Sequence, residues 1–300
     1  RFASQVTEPG TQLAEALRSA APGLVYANNG LVIGARAVAA AGTLWVPVLC
    51  HERGLQSVHS PYRRLGRTVR RFVCISHAVR AHVTRAGFGP RSEVVHNGID
   101  LAAFHPGIAP DPELQGTGPL LVSTGRLTRW KGVHVLLDAA ARLLPRHPDL
   151  RVAIAGTGEE EPALRRQAVS LGLADRVLFL GFVEDPRHVV RAATVLVHAA
   201  VGPEPFGRTV LEGLALGVPV VGTRLGAVPE ILVDGESGVM TSAGDADALA
   251  RTLGSLLEDD DLRSRLARQG RARAESAFDQ RTGSARIAAI IQDALSGGAP

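Results

Sequence analysis

Two glutamates eight residues apart, Glu204 and Glu212, flank the segment Pro205-Phe206-Gly207-Arg208-Thr209-Val210-Leu211. The apolar run 195–198 reads as a strand ending just ahead of them, and residues 207–216 read as a helix. The start of a helix offers free amides and a positive end worth roughly half a charge, which suits an anion. Glu204 alone reads as a carboxylate capping that helix. Two glutamates bracketing Pro-Phe-Gly at a sheet edge form a more specific pattern. A second group, Gly125-Arg126-Leu127-Thr128-Arg129-Trp130-Lys131-Gly132, follows the strand-like run that ends at Thr124. Well-separated cations at a strand-to-loop junction suit a diphosphate, whose charge needs more than one counter-charge. Of the 33 lysines and arginines, 32 are arginine and only Lys131 is lysine, which singles it out. As a cation on an exposed loop it adds little to stability, so its replacement is expected to leave the melting temperature in place.

Three weaker signals accompany these. Gly156 and Gly158 in Ala155-Gly156-Thr157-Gly158-Glu159 permit close backbone approach to a ligand, although Gly-x-Gly turns are common. His51-Glu52 stands at the end of a strand placed at 44–49, where a histidine either faces a cleft or is structural. Ser60-Pro61 opens a helix placed at 61–70, with Arg63, Arg64, Arg67, Arg70 and Arg71 at one-face spacing. That face suits an anionic membrane surface or a phosphorylated acceptor, or else is a solvated face of an arginine-rich chain. Asp245-Ala246-Asp247 matches a metal-binding pattern, but it opens a helix where Asp serves as a cap. No His/Cys cluster has metal-ligand spacing, so no metal and no cofactor are expected. A dehydrogenase would need G-x-G-x-x-G after the first strand of a unit, and none stands there.

These groups need a scaffold. Strand-like runs alternate with helical patterns, the mark of a parallel α/β sheet. Strands are placed at 24–27, 44–49, 72–75 and 93–96, then at 120–124, 151–155, 176–180, 195–198 and 218–222, with helices only beyond Asp245. The divisions are 1–105 for a first Rossmann-like domain, 106–119 for a Pro/Gly-rich linker, 120–280 for a second domain and 281–300 for a C-terminal helix. Two such domains place a ligand in the cleft they face, at the carboxyl ends of the strands. The net charge of +4 is uneven, since residues 1–105 carry 12 arginines against 5 acids, or +7. Cys50 and Cys74 lie in apolar runs and read as buried free thiols, which makes a reducing cytoplasm the default. No apolar run reaches membrane-spanning length, and the start at Arg1-Phe2-Ala3 has no apolar leader core.

Together these motifs resemble glycosyltransferase family 4, the retaining enzymes of the two-Rossmann-domain (GT-B) type. Further echoes are Gly226-Ala227-Val228-Pro229-Glu230, Cys74-Ile75-Ser76-His77 and His96-Asn97-Gly98-Ile99-Asp100. The resemblance implies metal-independent transfer of a hexose from a nucleoside-diphosphate sugar to an acceptor hydroxyl, with retention, in the cytoplasm or at the inner membrane face. It implies that Arg126 and Lys131 neutralise the departing diphosphate, while Glu204 holds the sugar hydroxyls and Glu212 the ribose. The Phe206, Gly207, Arg208, Thr209 and Val210 amides would meet sugar and phosphate oxygens, with Gly125 and Gly156 at the donor. Phe182 and Val183 would meet the base, and His51 the reacting centre. Family members usually carry about three more strands in the first domain, with a glycine-rich loop, so the resemblance implies a shortened or incomplete first domain. The alternative is a nucleotide-sugar-binding module without turnover. A sugar-nucleotide epimerase fits the paired glutamates less well. No nucleic-acid partner is expected.

Overall fold

The computed structural model describes residues 11–296, which fall into two compact units, one of residues up to 98 together with those from 280 on, the other of 99–279. In the first, α1 (Thr11–Ala20) leads into β1 (Val25–Ala27). Next come α2 (Gly30–Ile33), α3 (Ala35–Thr43) and β2 (Val48–Glu52). They are followed by α4 (Tyr62–Leu65), β3 (Arg71–Cys74), α5 (His77–Arg85) and β4 (Ser92–Val94). The four strands pair in parallel in the order β1-β2-β3-β4.

Two placements in this unit differ from those read in the sequence. The strand placed at 44–49 begins only at Val48, because Leu44 and Val46 donate back to Ala41 O in a turn and Pro47 has no N–H for the ladder. His51 and Glu52 therefore lie within β2. The helix placed at 61–70 stops at Leu65, followed by one 3-10 turn at Gly66–Thr68. The sheet captures the chain there, since Arg70 N donates to Val48 O at 2.8 Å and Arg71 opens β3. The five arginines do not share one helical face.

The second unit starts β5 (Leu120–Thr124), α6 (Val133–Leu143), β6 (Arg151–Ala155), α7 (Glu161–Ser170) and β7 (Val177–Gly181). After α8 (Arg187–Arg191) come β8 (Val195–His198), α9 (Arg208–Ala215), β9 (Val220–Thr223) and α10 (Val228–Ile231). It closes with β10 (Val239–Thr241), α11 (Ala246–Glu258) and α12 (Asp260–Ala277). β10 has only three residues behind Gly238, too short for alternation to reveal it in the sequence. The sheet is parallel in the order β10-β9-β8-β5-β6-β7, the doubly wound order with its reversal between β5 and β8. Its strands are mainly apolar because helices cover both faces. Leu121, Leu136, Leu137 and Leu196 are fully buried, each worth about 1.5–3 kcal/mol of burial.

The stretch 106–119 is strapped onto the second unit. Asp111 N donates to His188 O, Arg191 Nε to Ile108 O and Arg151 Nη2 to Leu114 O, with Leu114 buried. The last helix, α13 (Gln280–Ser296), packs with the first unit: Ile287, Ile290 and Ile291 join Leu49, Val73 and Val95. Arg286 pairs there with Glu93 at 2.6 Å, and Arg71 with Asp293 at 3.3 Å. Proline content marked an irregular segment, but not which unit it adheres to.

In the second unit, the loops after β5 and β6 interlock through their backbones. Gly125 N donates to Ala155 O and Leu127 N to Thr157 O, both at 2.9 Å. Gly156 has φ +149°, and a Cβ there would sit 1.8 Å from Gly125 O. Gly156→Ala is therefore expected to cost about 2–4 kcal/mol, as both strain and overlap arise. Gly172, at φ +72° with open space beyond, is the control and should lose about 1 kcal/mol when replaced by Ala. Urea denaturation of both variants checks this, and equal losses would refute the steric argument.

Candidate active site

In a doubly wound sheet the ligand site lies beyond the carboxyl ends of the strands, where the order reverses. Here that point is the ends of β5 and β8, at Thr124 and His198. The two loops leaving it are stitched together, since Trp130 O accepts from Val201 N at 2.8 Å and from Gly202 N at 3.1 Å. This stitching brings the neighbour of Trp130, Lys131, against the neighbourhood of Glu204.

Lys131 Nζ lies 2.7 Å from Glu204 Oε2 and 4.3 Å from the centre of the Trp130 ring. The Lys131 side chain is 17% exposed and that of Glu204 11%. Lys131 is thus not the exposed loop cation read from the sequence but half of a nearly buried pair. His198 Nε2 stands 3.4 Å from the same Glu204 oxygen. Burial pushes the Glu204 pKa up, but the His198 ring and the Lys131 ammonium outweigh it and hold the carboxyl below its ordinary 4.5. A carboxylate with a depressed folded pKa stabilises the fold above its unfolded pKa, and that contribution is lost as pH falls below about 4.5.

Glu204 does not cap α9. The N-cap is Gly207 at φ +104°, which has no side chain to cap with. Glu212 lies in α9, buried, with Arg208 Nε 2.8 Å from its Oε1. Burial raises its pKa, and the Arg208 guanidinium offsets this only in part.

Beside these residues a hollow of about 440 Å³ is lined by Gly125, Arg126, Gly156, Phe182, Val183, Arg208, Thr209 and Glu212 among others. Eight of the residues singled out in the sequence therefore share one pocket. Thr157, from the Gly-x-Gly turn, lines it too, while Thr124 and Pro186 also line it and were missed, with no charge to flag them. Phe182 is 78% exposed, an apolar ring held out to solvent. Arg126 is exposed and, among the described residues, makes no ion pair. Phe206 and Val210 are buried, so their side chains are closed to a ligand. Asp245 caps α11 by accepting from Ala248 N, and Asp247 pairs with Arg142.

His51 lies in the first unit, buried in β2. The Tyr26 hydroxyl meets its Nδ1, and Arg53 Nη2 stands 3.4 Å from the same atom. Burial, helped by the Arg53 charge, lowers its pKa to about 4, so the ring is neutral at pH 7. Cys50 and Cys74 are free and buried, and burial pushes the Cys74 thiol up to about 12. No helix among the described residues is long and apolar enough to cross a membrane.

Comparison with known proteins bears on this geometry. Residues 108–273 match the family described as glycosyl transferases group 1, and residues 3–103 match glycosyltransferase family 4. The lipopolysaccharide core biosynthesis glycosyltransferase LpsE of Rhizobium meliloti is 39% identical over 152 residues, 51% of this chain and 43% of that protein. The GDP-mannose-dependent α-(1-6)-phosphatidylinositol monomannoside mannosyltransferase of Mycolicibacterium smegmatis is 32% identical over 263 residues, 80% of this chain and 68% of that one. Against several relatives the match spans under half of their length. The solved structure of Anabaena Alr3699/HepE with UDP-glucose superposes with a TM-score of 0.84 at 26% identity, covering 94% of this chain and 82% of that one.

Proposed function

Because the chain belongs to the group 1 glycosyltransferases, a family built on two parallel-sheet α/β domains of the GT-B type, we propose that it moves a hexose from a nucleoside-diphosphate sugar to an acceptor hydroxyl with retention. The observation that carries this reading is the pocket at the reversal of the second sheet, where Arg126, Thr209 and Glu212 converge on two glycine turns. Relatives are named for GDP-mannose and found with UDP-glucose, so the donor class rests on their shared diphosphate-sugar chemistry.

In this reading Arg126 and the amides at the start of α9 grip the diphosphate. The Lys131 ammonium has three N–H donors and gives one to Glu204, leaving two for the leaving group. Glu204, kept ionised, accepts from the sugar hydroxyls, and Glu212 accepts from the ribose. The backbone at Phe182 and Val183 meets the base. The bond from the anomeric carbon to the diphosphate oxygen breaks as the acceptor oxygen bonds on the same face, and the acceptor proton passes to the departing diphosphate. The neutral His51 is assigned to the sugar and acceptor side, and no metal is required. A cytoplasmic setting, peripheral to an anionic inner membrane face through Arg63, Arg64 and Arg67, completes the proposal.

A site built for two phosphates should bind a nucleoside diphosphate more tightly than its monophosphate, by at least about tenfold, or 1.4 kcal/mol. Calorimetry with UDP/UMP, GDP/GMP and ADP/AMP pairs, repeated in EDTA, tests this. Equal affinity within every pair removes the diphosphate site, and loss of binding in EDTA removes the metal-free reading.

A further inference from the structure

A second cluster of charge lies in the first unit, at the end of the sheet from which β3 and β4 start, whereas His51 lies toward the carboxyl end of β2. Arg63, Arg64, Arg67, Arg85 and Arg91 surround a hollow of about 720 Å³ with Phe88 in its wall and no carboxylate in its lining. Three different segments supply them: α4 with the turn after it, the last residue of α5, and the turn before β4. The sequence grouped only the first three, with Arg70 and Arg71. Arg85 and Arg91 take their places because the chain turns into the sheet at Arg70.

What sets this cluster apart is that five guanidiniums from three segments line one hollow. Several arginines elsewhere in the chain are matched, Arg142 with Asp247, Arg165 with Glu161 and Arg187 with Asp185. Among the described residues none of the five makes an ion pair. Arg91 is braced against backbone instead, Nη1 donating to Arg67 O at 3.1 Å and Val69 O at 2.5 Å, and Nη2 to Gly66 O at 3.3 Å. Its guanidinium also lies 5.3 Å from the centre of the Phe88 ring. Arg63 Nε donates to Ala86 O at 3.2 Å. Two cations are thus fixed in place by carbonyls, while Arg64, Arg67 and Arg85 stand exposed around them. Like charges held together repel, and an anion with several oxygens that accepts from more than one planar fork relieves that repulsion.

We infer that this hollow is a binding site for a phosphorylated ligand, a phosphate or diphosphate ester whose oxygens are shared among these guanidiniums. The site does not depend on glycosyl transfer; it shares Arg63, Arg64 and Arg67 with the membrane face proposed above, and the lipid probe tests that share.

The test uses the full chain, with inorganic pyrophosphate as the soluble probe and phosphatidylglycerol vesicles, against phosphatidylcholine vesicles, as the lipid probe. Three proteins are compared: wild type, Arg64→Gln/Arg67→Gln/Arg85→Gln, and Arg126→Gln. The exposed arginines of the triple variant leave the fold intact, which an unchanged melting temperature verifies. Calorimetry should show one fewer pyrophosphate site in the triple variant, and that site should persist in Arg126→Gln. Loss in the pyrophosphate arm assigns a small phosphorylated molecule. Loss confined to phosphatidylglycerol vesicles assigns a lipid headgroup with the same chemistry. If the triple variant binds both probes as the wild type does, the inference is overturned. An Arg126→Gln protein that keeps every site counts against the donor reading alone.

Discussion

Lys131→Ala is expected to lower turnover by about 3–4 kcal/mol, several hundredfold, and to lower the melting temperature as well. The first effect follows from charge developing on the leaving diphosphate with one fewer cation to meet it. The second follows from the pair with Glu204, because removing one partner of a largely buried ion pair leaves the other uncompensated. With both side chains partly open, a loss of about 2–3 kcal/mol is expected, near the lower end for buried pairs. In a unit of this size that is a fall of about 5–10 °C. Lys131→Arg keeps the charge, but the ammonium sits between the Trp130 ring and Glu204 where a planar fork fits poorly. It should cost roughly tenfold in turnover, about 1.4 kcal/mol. Steady-state rates on a confirmed donor, with thermal melts, check both. Wild-type turnover in both variants would remove the loop after β5 from catalysis.

Glu204→Ala should reduce turnover on the order of a hundredfold while nucleoside diphosphate affinity stays within a few-fold, because its proposed partner is the sugar. Glu204→Gln separates charge from shape: it keeps hydrogen-bonding capacity but leaves Lys131 without its anion. The double variant Lys131→Ala/Glu204→Gln should recover part of the stability lost in Lys131→Ala, since no unpaired charge remains. It should recover none of the turnover. A collapse of diphosphate affinity in Glu204→Ala would make Glu204 a structural brace.

Much of this site was legible because its chemistry is local in sequence. Glu204 and Glu212 bracket one helix start, and Gly125 through Gly132 forms one strand-to-loop junction, so charge and spacing flagged them. Strands β6 and β8 carry apolar runs, the first set between a charge and a glycine, and their limits were read as they stand in the fold. What could not be read depends on contacts across the chain. Lys131 and Glu204 are 73 residues apart, and the pairing of β5 with β8 and the Trp130 carbonyl accepting from Val201 and Gly202 bring them together. His198 was not singled out either; as the last residue of a strand it stands 3.4 Å from Glu204 only in the fold. The arginine face failed for a related reason. Its helical spacing is real in the sequence, but a hydrogen bond from Arg70 N to the neighbouring strand outweighs local propensity and ends the helix.

The central claim, that the second sheet's pocket holds a nucleoside-diphosphate sugar for transfer, is met most directly by following donor turnover with phosphorus NMR. The chain is incubated with each of a panel of UDP-, GDP- and ADP-sugars, and release of nucleoside diphosphate is monitored in wild type and Glu204→Ala. Release from at least one donor, reduced on the order of a hundredfold in Glu204→Ala, is the expected result. Binding of nucleoside diphosphates with no release from any donor, or release indifferent to Glu204, would contradict it.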